Sequence, residues 1–71
     1  MNAAVSEWLK KGEDYLVERD VPEAKASAEF LMAEMLGVGR MTAVMQSTRT
    51  LTVKESHQYW DWIKWRGKRF P

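Results

Sequence analysis

The stretch LTVKESHQYWDWIKWR, residues 51–66, decides the fold because it carries the sharpest local signal in the chain. Thr52 is followed three residues later by Glu55, which is the pattern of a capping box at a helix N-terminus. The spacing predicts a helix from about Val53 to Arg66 or slightly beyond, preceded by Leu51 as an inward anchor. The residues predicted to face inward are Val53, Tyr59, Trp60 and Ile63, with Trp62 as a further candidate.

Three more helices are predicted upstream, from about Asn2 to Glu18, from about Pro22 to Leu36 and from about Arg40 to Gln46. Gly12 lies on the apolar side of the first helix, where it marks either a close helix crossing or a tolerated loss of helix propensity. The predicted core residues of these helices are, in order, Val5, Trp8, Leu9, Tyr15 and Leu16; Ala24, Ala28, Leu31, Met32, Met35 and Leu36; and Met41, Val44 and Met45.

Proline and glycine mark the boundaries of these helices. Pro22 disfavours a helical conformation for Val21 and suits a first helical turn, so Asp20 or Val21 is predicted to cap the second helix. Gly37 follows the last periodic residue of that helix and is predicted to adopt the left-handed conformation that ends many helices. No segment alternates with the period of a strand, so the sequence predicts an all-α bundle of four helices, or five if one segment breaks.

Size and composition favour a single globular domain over residues 1–71. The net charge of +1 argues against a domain-wide electrostatic surface for nucleic acid. The chain has no cysteine, which excludes disulfides and fits a cytoplasmic location. No stretch approaches the roughly 18 apolar residues of a membrane span, and the N-terminus does not resemble a signal peptide. We therefore expect no membrane partner.

The search for catalytic or ligand-binding sets finds no candidate. His57 is the only histidine, so it cannot form a zinc site of several ligands at the expected spacing, and we interpret it as a surface or boundary residue. Gly37 and Gly39 follow a predicted helix instead of a strand, and they lack the spacing of a phosphate-binding loop. We expect no catalytic residue, no cofactor site and no metal site in this chain.

The order of several short motifs along the chain is informative. They are Pro22 at a helix start, Ala28-Glu29-Phe30-Leu31, Leu36-Gly37-Val38-Gly39-Arg40, Leu51-Thr52, and Arg66-Gly67-Lys68-Arg69-Phe70-Pro71. Their order and spacing resemble the N-terminal domain of the release factor glutamine methyltransferases, the HemK/PrmC family, from about Val5 onward. The chain departs from the family pattern with Ser27 in place of an acid, Trp65 in place of an arginine, and Phe70 in place of a glutamate.

The resemblance implies a parent enzyme in two parts. The C-terminal part, which these residues do not include, would bind S-adenosylmethionine and methylate the glutamine in the Gly-Gly-Gln motif of a peptide-chain release factor. The N-terminal bundle would help to dock the release factor and would pack near its own catalytic domain. By the same resemblance, Pro71 would lie where the connection to that domain begins.

The predicted docking or inter-domain surface is the end of the last helix, and its residues are Trp65, Arg66, Lys68 and Arg69. A frayed, solvated helix end is the alternative interpretation of the same residues. Trp65 distinguishes the two cases most clearly: a buried Trp65 would be an ordinary core residue, whereas an exposed one would indicate a missing covering partner.

Two other functions remain open at this stage. Residues 60–69 resemble the recognition helix of a homeodomain, in which aromatic residues anchor the core and cations meet phosphate, so a small nucleic-acid-binding domain is the first alternative. The near-neutral charge and the lack of asparagine in the last helix argue against it. The second alternative is a helical adaptor whose methionine and tryptophan surfaces bind a partner helix.

Overall fold

Four helices form the architecture of the chain in a computed structural model, which describes residues 3–69 apart from the side chain of Arg69. The helices are α1 (Val5–Glu18), α2 (Ala24–Leu36), α3 (Arg40–Met45) and α4 (Val53–Arg69). α1 packs against the other three helices, and α2 also packs against α3 and α4. Within residues 3–69 extended backbone pairs only at an isolated bridge between Ala4 and Thr50. The predicted all-α bundle is confirmed. The predicted start of the first helix near Asn2 is wrong, because Ala4 has extended backbone that pairs with Thr50 and α1 begins only at Val5. The connection predicted at Pro71 lies outside the described residues.

The core is assembled from the apolar stripes of the long helices and from two residues of the connecting segments, Val21 and Leu51. The stripes predicted for α1 and α2 are confirmed, because every member is buried or packs against the buried cluster. The buried hydrophobic residues are Val5, Leu16, Val21, Ala24, Ala28, Met32, Ala33, Ala43, Leu51, Tyr59 and Ile63.

α1 and α4 cross closely at Gly12. A Cβ atom placed on Gly12 would lie 2.7 Å from Tyr59 Oη and 2.9 Å from Ile63 Cδ1, so only a hydrogen fits there. The Tyr59 hydroxyl is fully buried and donates a hydrogen bond of 3.0 Å to the carbonyl oxygen of Ala28 in α2. Burial, assisted by the charge of Glu29, raises the pKa of this hydroxyl, which therefore remains a donor. Of the two interpretations of Gly12, the close crossing is confirmed.

The ends of α1 and α2 use the same hydrogen-bond pattern. Val21 N–H donates to the Leu16 carbonyl at 3.0 Å around Asp20, which has a φ of 59°. Val38 N–H donates to the Ala33 carbonyl at 3.1 Å around Gly37, which has a φ of 71°. Both are Schellman ends, in which a left-handed residue is followed by an apolar one. The prediction for Gly37 is confirmed.

The predicted start of α2 is wrong by two residues. Asp20 closes α1 and does not cap α2, because this turn is what carries Val21 into the core. Pro22 then lies in a turn, Glu23 adopts a left-handed φ of 53°, and the helix begins at Ala24.

The start of α4 matches the predicted capping box. Thr52 N–H donates to Glu55 Oε1 at 3.0 Å, and Glu55 N–H donates to Thr52 Oγ1 at 3.0 Å. Arg49 Nη2 lies 3.0 Å from Glu55 Oε2. The backbone hydrogen bond from Thr52 and the charge of Arg49 hold the pKa of the Glu55 carboxyl below its ordinary value, although desolvation opposes them. This box and the buried Leu51 fix the position at which α4 begins.

The predicted inward residues are wrong throughout α3 and at one position of α4. In α3, Met41 and Met45 are 79% and 80% exposed and Val44 is also exposed, whereas Ala43 is buried. A helix of six residues that lies close to its neighbours contacts them through one small side chain, so the larger ones point away. In α4, Val53 is exposed and Ser56 is buried. Tyr59 and Ile63 define the inward face of α4, and helical geometry places Val53 about 120° away from Tyr59.

Candidate functional site

The aromatic residues of α4 lie on two sides of the helix. On one side Trp60 packs against α1, with its ring centre 6.0 Å from that of Trp8 and 5.3 Å from that of Tyr15. We call Trp8, Tyr15 and Trp60 the aromatic flank. Lys11 Nζ lies 4.7 Å from the centre of the Trp8 ring, and Arg19 Cζ lies 3.8 Å from the centre of the Tyr15 ring. The protein's own cationic side chains therefore cover part of the aromatic flank.

The other side of α4 faces α2 and remains open. Phe30, Leu31, Trp62 and Trp65 line a groove between the two helices, which we call the α2–α4 cleft. Phe30 is 56% exposed and Trp65 is 59% exposed, whereas Leu31 and Trp62 are half-buried. Large aromatic side chains that stay exposed next to one another are typical of interaction surfaces.

The α2–α4 cleft consists of two adjoining hollows that share Phe30, Leu31 and Trp65. The first, of about 570 Å³, lies near the start of α2, and Arg40 and Arg66 are among its lining residues. The second, of about 520 Å³, is lined in addition by Trp62, Glu34 and Asp61. Among the described lining residues, the first hollow therefore contains two cations and one acid, Glu23, whereas the second contains two acids and no cation.

The predicted docking residues divide between this cleft and the solvent. Trp65 and Arg66 line the cleft, as a docking surface would require. Lys68 is exposed and is not among the residues that line either hollow. Arg69 lies in α4, and its side chain is outside the described part of the chain.

Sequence reasoning missed Phe30 as a site residue. Helical spacing places Phe30 about 160° from the buried Ala28, on the outer side of α2. A large aromatic residue on the side of the helix opposite a buried alanine was the available signal. The motif that contains Phe30 indicates a family, but it does not by itself indicate which side of the helix is open to a partner.

Most of the motif residues behind the family resemblance hold the fold together. Ala28 accepts the Tyr59 hydrogen bond, and Gly37 ends α2. Glu29 Oε1 accepts hydrogen bonds from Arg40 Nε at 3.1 Å and from Nη2 at 2.9 Å, which ties the start of α3 to α2. The Leu51-Thr52 pair anchors and caps α4. These motif residues therefore explain the fold, whereas Phe30, Leu31 and Arg66 of the same motifs line the α2–α4 cleft.

Among residues 3–69, no three histidine, aspartate or glutamate side chains come together as metal ligands would. His57 is exposed, as predicted. None of the helices within the described part of the chain is long and apolar enough to cross a bilayer.

The fold and the cleft define a class of protein: a small all-α domain with an open, largely apolar cleft between α2 and α4. The family whose pattern the sequence matches is described as the PrmC N-terminal domain, and the match covers residues 7–71. The chain belongs to this family, and the predicted resemblance is confirmed.

A curated relative adds to this assignment. The chain is 33% identical over 63 residues to a protein named release factor glutamine methyltransferase from Leptospira interrogans serogroup Icterohaemorrhagiae serovar Lai (strain 56601). The alignment covers 89% of this chain and 22% of the relative, so the chain spans less than a quarter of the relative's length. No solved structure matches the chain. Of the three hypotheses, these matches support the N-terminal domain of the methyltransferase family, and not the nucleic-acid-binding domain or the helical adaptor.

Proposed function

We propose that this chain is the N-terminal helical domain of a peptide-chain release factor glutamine methyltransferase, and that it helps to dock the release factor. The observation that carries the proposal is the family match over residues 7–71. The name of the curated relative supplies the enzyme class. In this proposal a catalytic domain that follows the bundle methylates the side-chain nitrogen of the glutamine in the Gly-Gly-Gln motif.

The docking surface in this proposal is the α2–α4 cleft together with the end of α4. The cleft supplies Phe30 and Trp65, which are the only exposed aromatic residues among the described positions. Aromatic side chains lose little conformational entropy on binding and often provide most of the binding energy at interfaces. Arg66 and Lys68 supply positive charge near the end of α4, where the helix dipole also favours cations, and Arg69 follows them in the sequence. An acidic surface on the release factor would complement this end.

Docking of this kind acts at a distance from the reaction. No residue of the chain is assigned a role at the reacting amide. Contacts remote from the reacting atoms help to place the glutamine, and such positioning lowers the entropic part of the barrier. The methyl donor in this proposal is S-adenosylmethionine, which supplies the methyl group when bound by the catalytic domain. The chain has no glycine-rich turn after a strand, so none of its residues is assigned to that cofactor.

A titration of the ¹⁵N-labelled chain with a peptide-chain release factor tests the proposal by NMR. We expect chemical-shift changes at Phe30, Leu31, Trp62 and Trp65 and along the last two turns of α4. Trp65→Ala should weaken binding by roughly tenfold, since a truncated aromatic anchor costs more than about 1 kcal/mol. Val17→Ala is the matched control, because Val17 is 56% exposed on α1 and should not affect binding. Shift changes confined to α1, or equal affinities for both variants, would contradict the proposal.

A further inference from the structure

The second hollow of the α2–α4 cleft has a distinctive composition. Its described lining residues are three aromatic side chains, one leucine and two carboxylates, with no cation among them: Phe30, Trp62, Trp65, Leu31, Glu34 and Asp61. We call it the acidic hollow. Aromatic rings and carboxylates favour the same ligand, because a cation is attracted both by the negative face of a ring and by a carboxylate.

We propose that the acidic hollow binds an arginine side chain presented by the partner protein. The stem of an arginine packs on apolar surface, and its planar guanidinium can stack on tryptophan while it donates to a carboxylate. The inference deepens the proposed function, and it rests on that proposal for the identity of the partner as a release factor. The ligand preference itself follows from the lining residues of the hollow.

The two carboxylates of the acidic hollow are available to a new partner. Glu34 is exposed and forms no ion pair with any side chain that the structure describes. Asp61 lies 3.8 Å from Lys64, but the two side chains are 74% and 47% exposed, and an ion pair of this kind contributes little. Glu29 and Glu55 differ from them, because each holds an arginine at 3.0 Å or less with its own side chain largely buried.

Two features of the molecule give the proposal its direction. The aromatic flank already holds Lys11 over Trp8 and Arg19 over Tyr15, so this fold tolerates cations on its aromatic rings. Arg40 and Arg66 line the neighbouring hollow beside one acid, Glu23, whereas the described charges of the acidic hollow are both carboxylates, so a guanidinium is attracted more strongly to the acidic hollow.

NMR of the tryptophan indole N–H groups tests the preference without a release factor. The probes are N-acetyl-arginine amide and its neutral isostere N-acetyl-citrulline amide. We expect the arginine probe to shift the Trp62 and Trp65 signals, leave those of Trp8 and Trp60 in place, and bind about fivefold more tightly than the citrulline probe. Absence of shifts at about 50 mM arginine probe, well above a millimolar dissociation constant, overturns the inference. Equal affinity for the two probes also overturns it.

Matched charge variants separate the acidic hollow from the general charge of the domain. Glu34→Gln combined with Asp61→Asn should remove the preference for the arginine probe. Glu18→Gln combined with Asp20→Asn makes the same change in net charge at the end of α1 and should leave the preference intact. If both double variants lower the affinity equally, the effect is long-range attraction and the inference fails.

A parallel release factor titration distinguishes failure of this inference from failure of the proposed function. If the release factor binds wild type and the Glu34→Gln/Asp61→Asn variant equally, docking stands and the arginine site is wrong. If the arginine probe binds as expected but the release factor does not bind the chain, the hollow keeps its preference and the proposed partner is wrong.

Discussion

Trp60 and Trp65 are five residues apart on α4, but Trp60 is packed against α1 and Trp65 is exposed. Helical geometry separates them by about 140°. Trp60 lies in the aromatic flank, packed against Trp8 and Tyr15 of α1. Trp65 lies in the α2–α4 cleft with 59% of its surface exposed. The side of a helix, more than the residue type, decides whether a tryptophan is packed against a neighbouring helix or exposed.

The neighbouring helices explain the difference. α1 presents two aromatic rings to α4 and approaches closely at Gly12. Gly67 allows the same approach later in α4, because a Cβ atom there would lie 2.8 Å from both Tyr15 Cε1 and Arg19 Cδ. α2 presents alanines and Met32 to the core. Its large outward residue, Phe30, lies beside Trp65 at the surface and leaves it exposed.

The largest expected effect comes from removing the aromatic flank. Trp60→Ala should lower the free energy of unfolding by about 3 kcal/mol, because it deletes a large packed ring and leaves Trp8 and Tyr15 facing a cavity. Urea denaturation followed by circular dichroism measures this change. A loss below about 1 kcal/mol would mean that the flank collapses around the gap and that the two sides of α4 differ less than their packing indicates.

Adding a methyl group at the α1–α4 crossing should have the next largest effect. Gly12→Ala gains about 1 kcal/mol of helix propensity, but its methyl group would overlap the buried Tyr59 hydroxyl. Overpacking costs about 1–3 kcal/mol, and displacing Tyr59 also weakens its hydrogen bond to Ala28, so we expect a net loss of about 2 kcal/mol. Gly39→Ala is the control for thermal denaturation, since no atom would lie within 4 Å of a Cβ atom placed there and its φ is −71°. A more stable Gly12→Ala variant would show that the crossing can widen.

The capping box sharpens the comparison because it helps to set where α4 begins and therefore where each tryptophan points. Thr52→Ala should cost about 1 kcal/mol of stability, the usual effect of losing a side-chain N-cap. Thermal unfolding of the variant measures it. Ser47→Ala, a change of hydroxyl outside the helices, serves as the control and should be near neutral.

Glu55 makes the contribution of the capping box depend on pH. The pKa of its carboxyl is lowered in the folded state from an ordinary value of 4.5. The stabilisation is therefore complete above that ordinary value and is lost as the pH falls through the lower folded-state pKa. We expect the stability difference between wild type and Glu55→Gln to be constant near neutral pH and to shrink below about pH 4.5. A difference that stays constant down to about pH 2, measured by urea denaturation, would contradict the role of the ionised carboxylate.

Much of this arrangement could be predicted from the sequence, and the failures have a physical cause. Long helices carry enough turns for periodicity to define a face, which is why the inward positions of Leu16, Met32 and Ile63 were predictable. Gly37 and Thr52 were predictable because local chemistry decides their conformation. α3 offers fewer than two turns, so hydrophobicity pointed to its methionines, whereas close packing selected Ala43.

The candidate site was only half predictable for a related reason. Trp65 and Arg66 could be found because they lie together on one helix next to a run of cations. Phe30 could not be joined to them, since the cleft exists only once α2 lies beside α4. For the same reason, Glu34 and Asp61 could not be predicted to line one hollow, because in the sequence each resembles an ordinary solvated acid on its own helix.

The smallest expected effect on stability is the most direct test of the comparison. Trp65→Ala should change the free energy of unfolding by less than about 0.5 kcal/mol, because an exposed side chain away from the core contributes little to folding. The same substitution should weaken binding at the α2–α4 cleft. Trp60→Ala should therefore mainly lower the free energy of unfolding, whereas Trp65→Ala should mainly lower the binding affinity. Urea denaturation of both variants beside the release factor titration measures the contrast. If Trp65→Ala were as destabilising as Trp60→Ala, the exposed ring would be holding α2 against α4, and the cleft would be a structural seam instead of a binding surface.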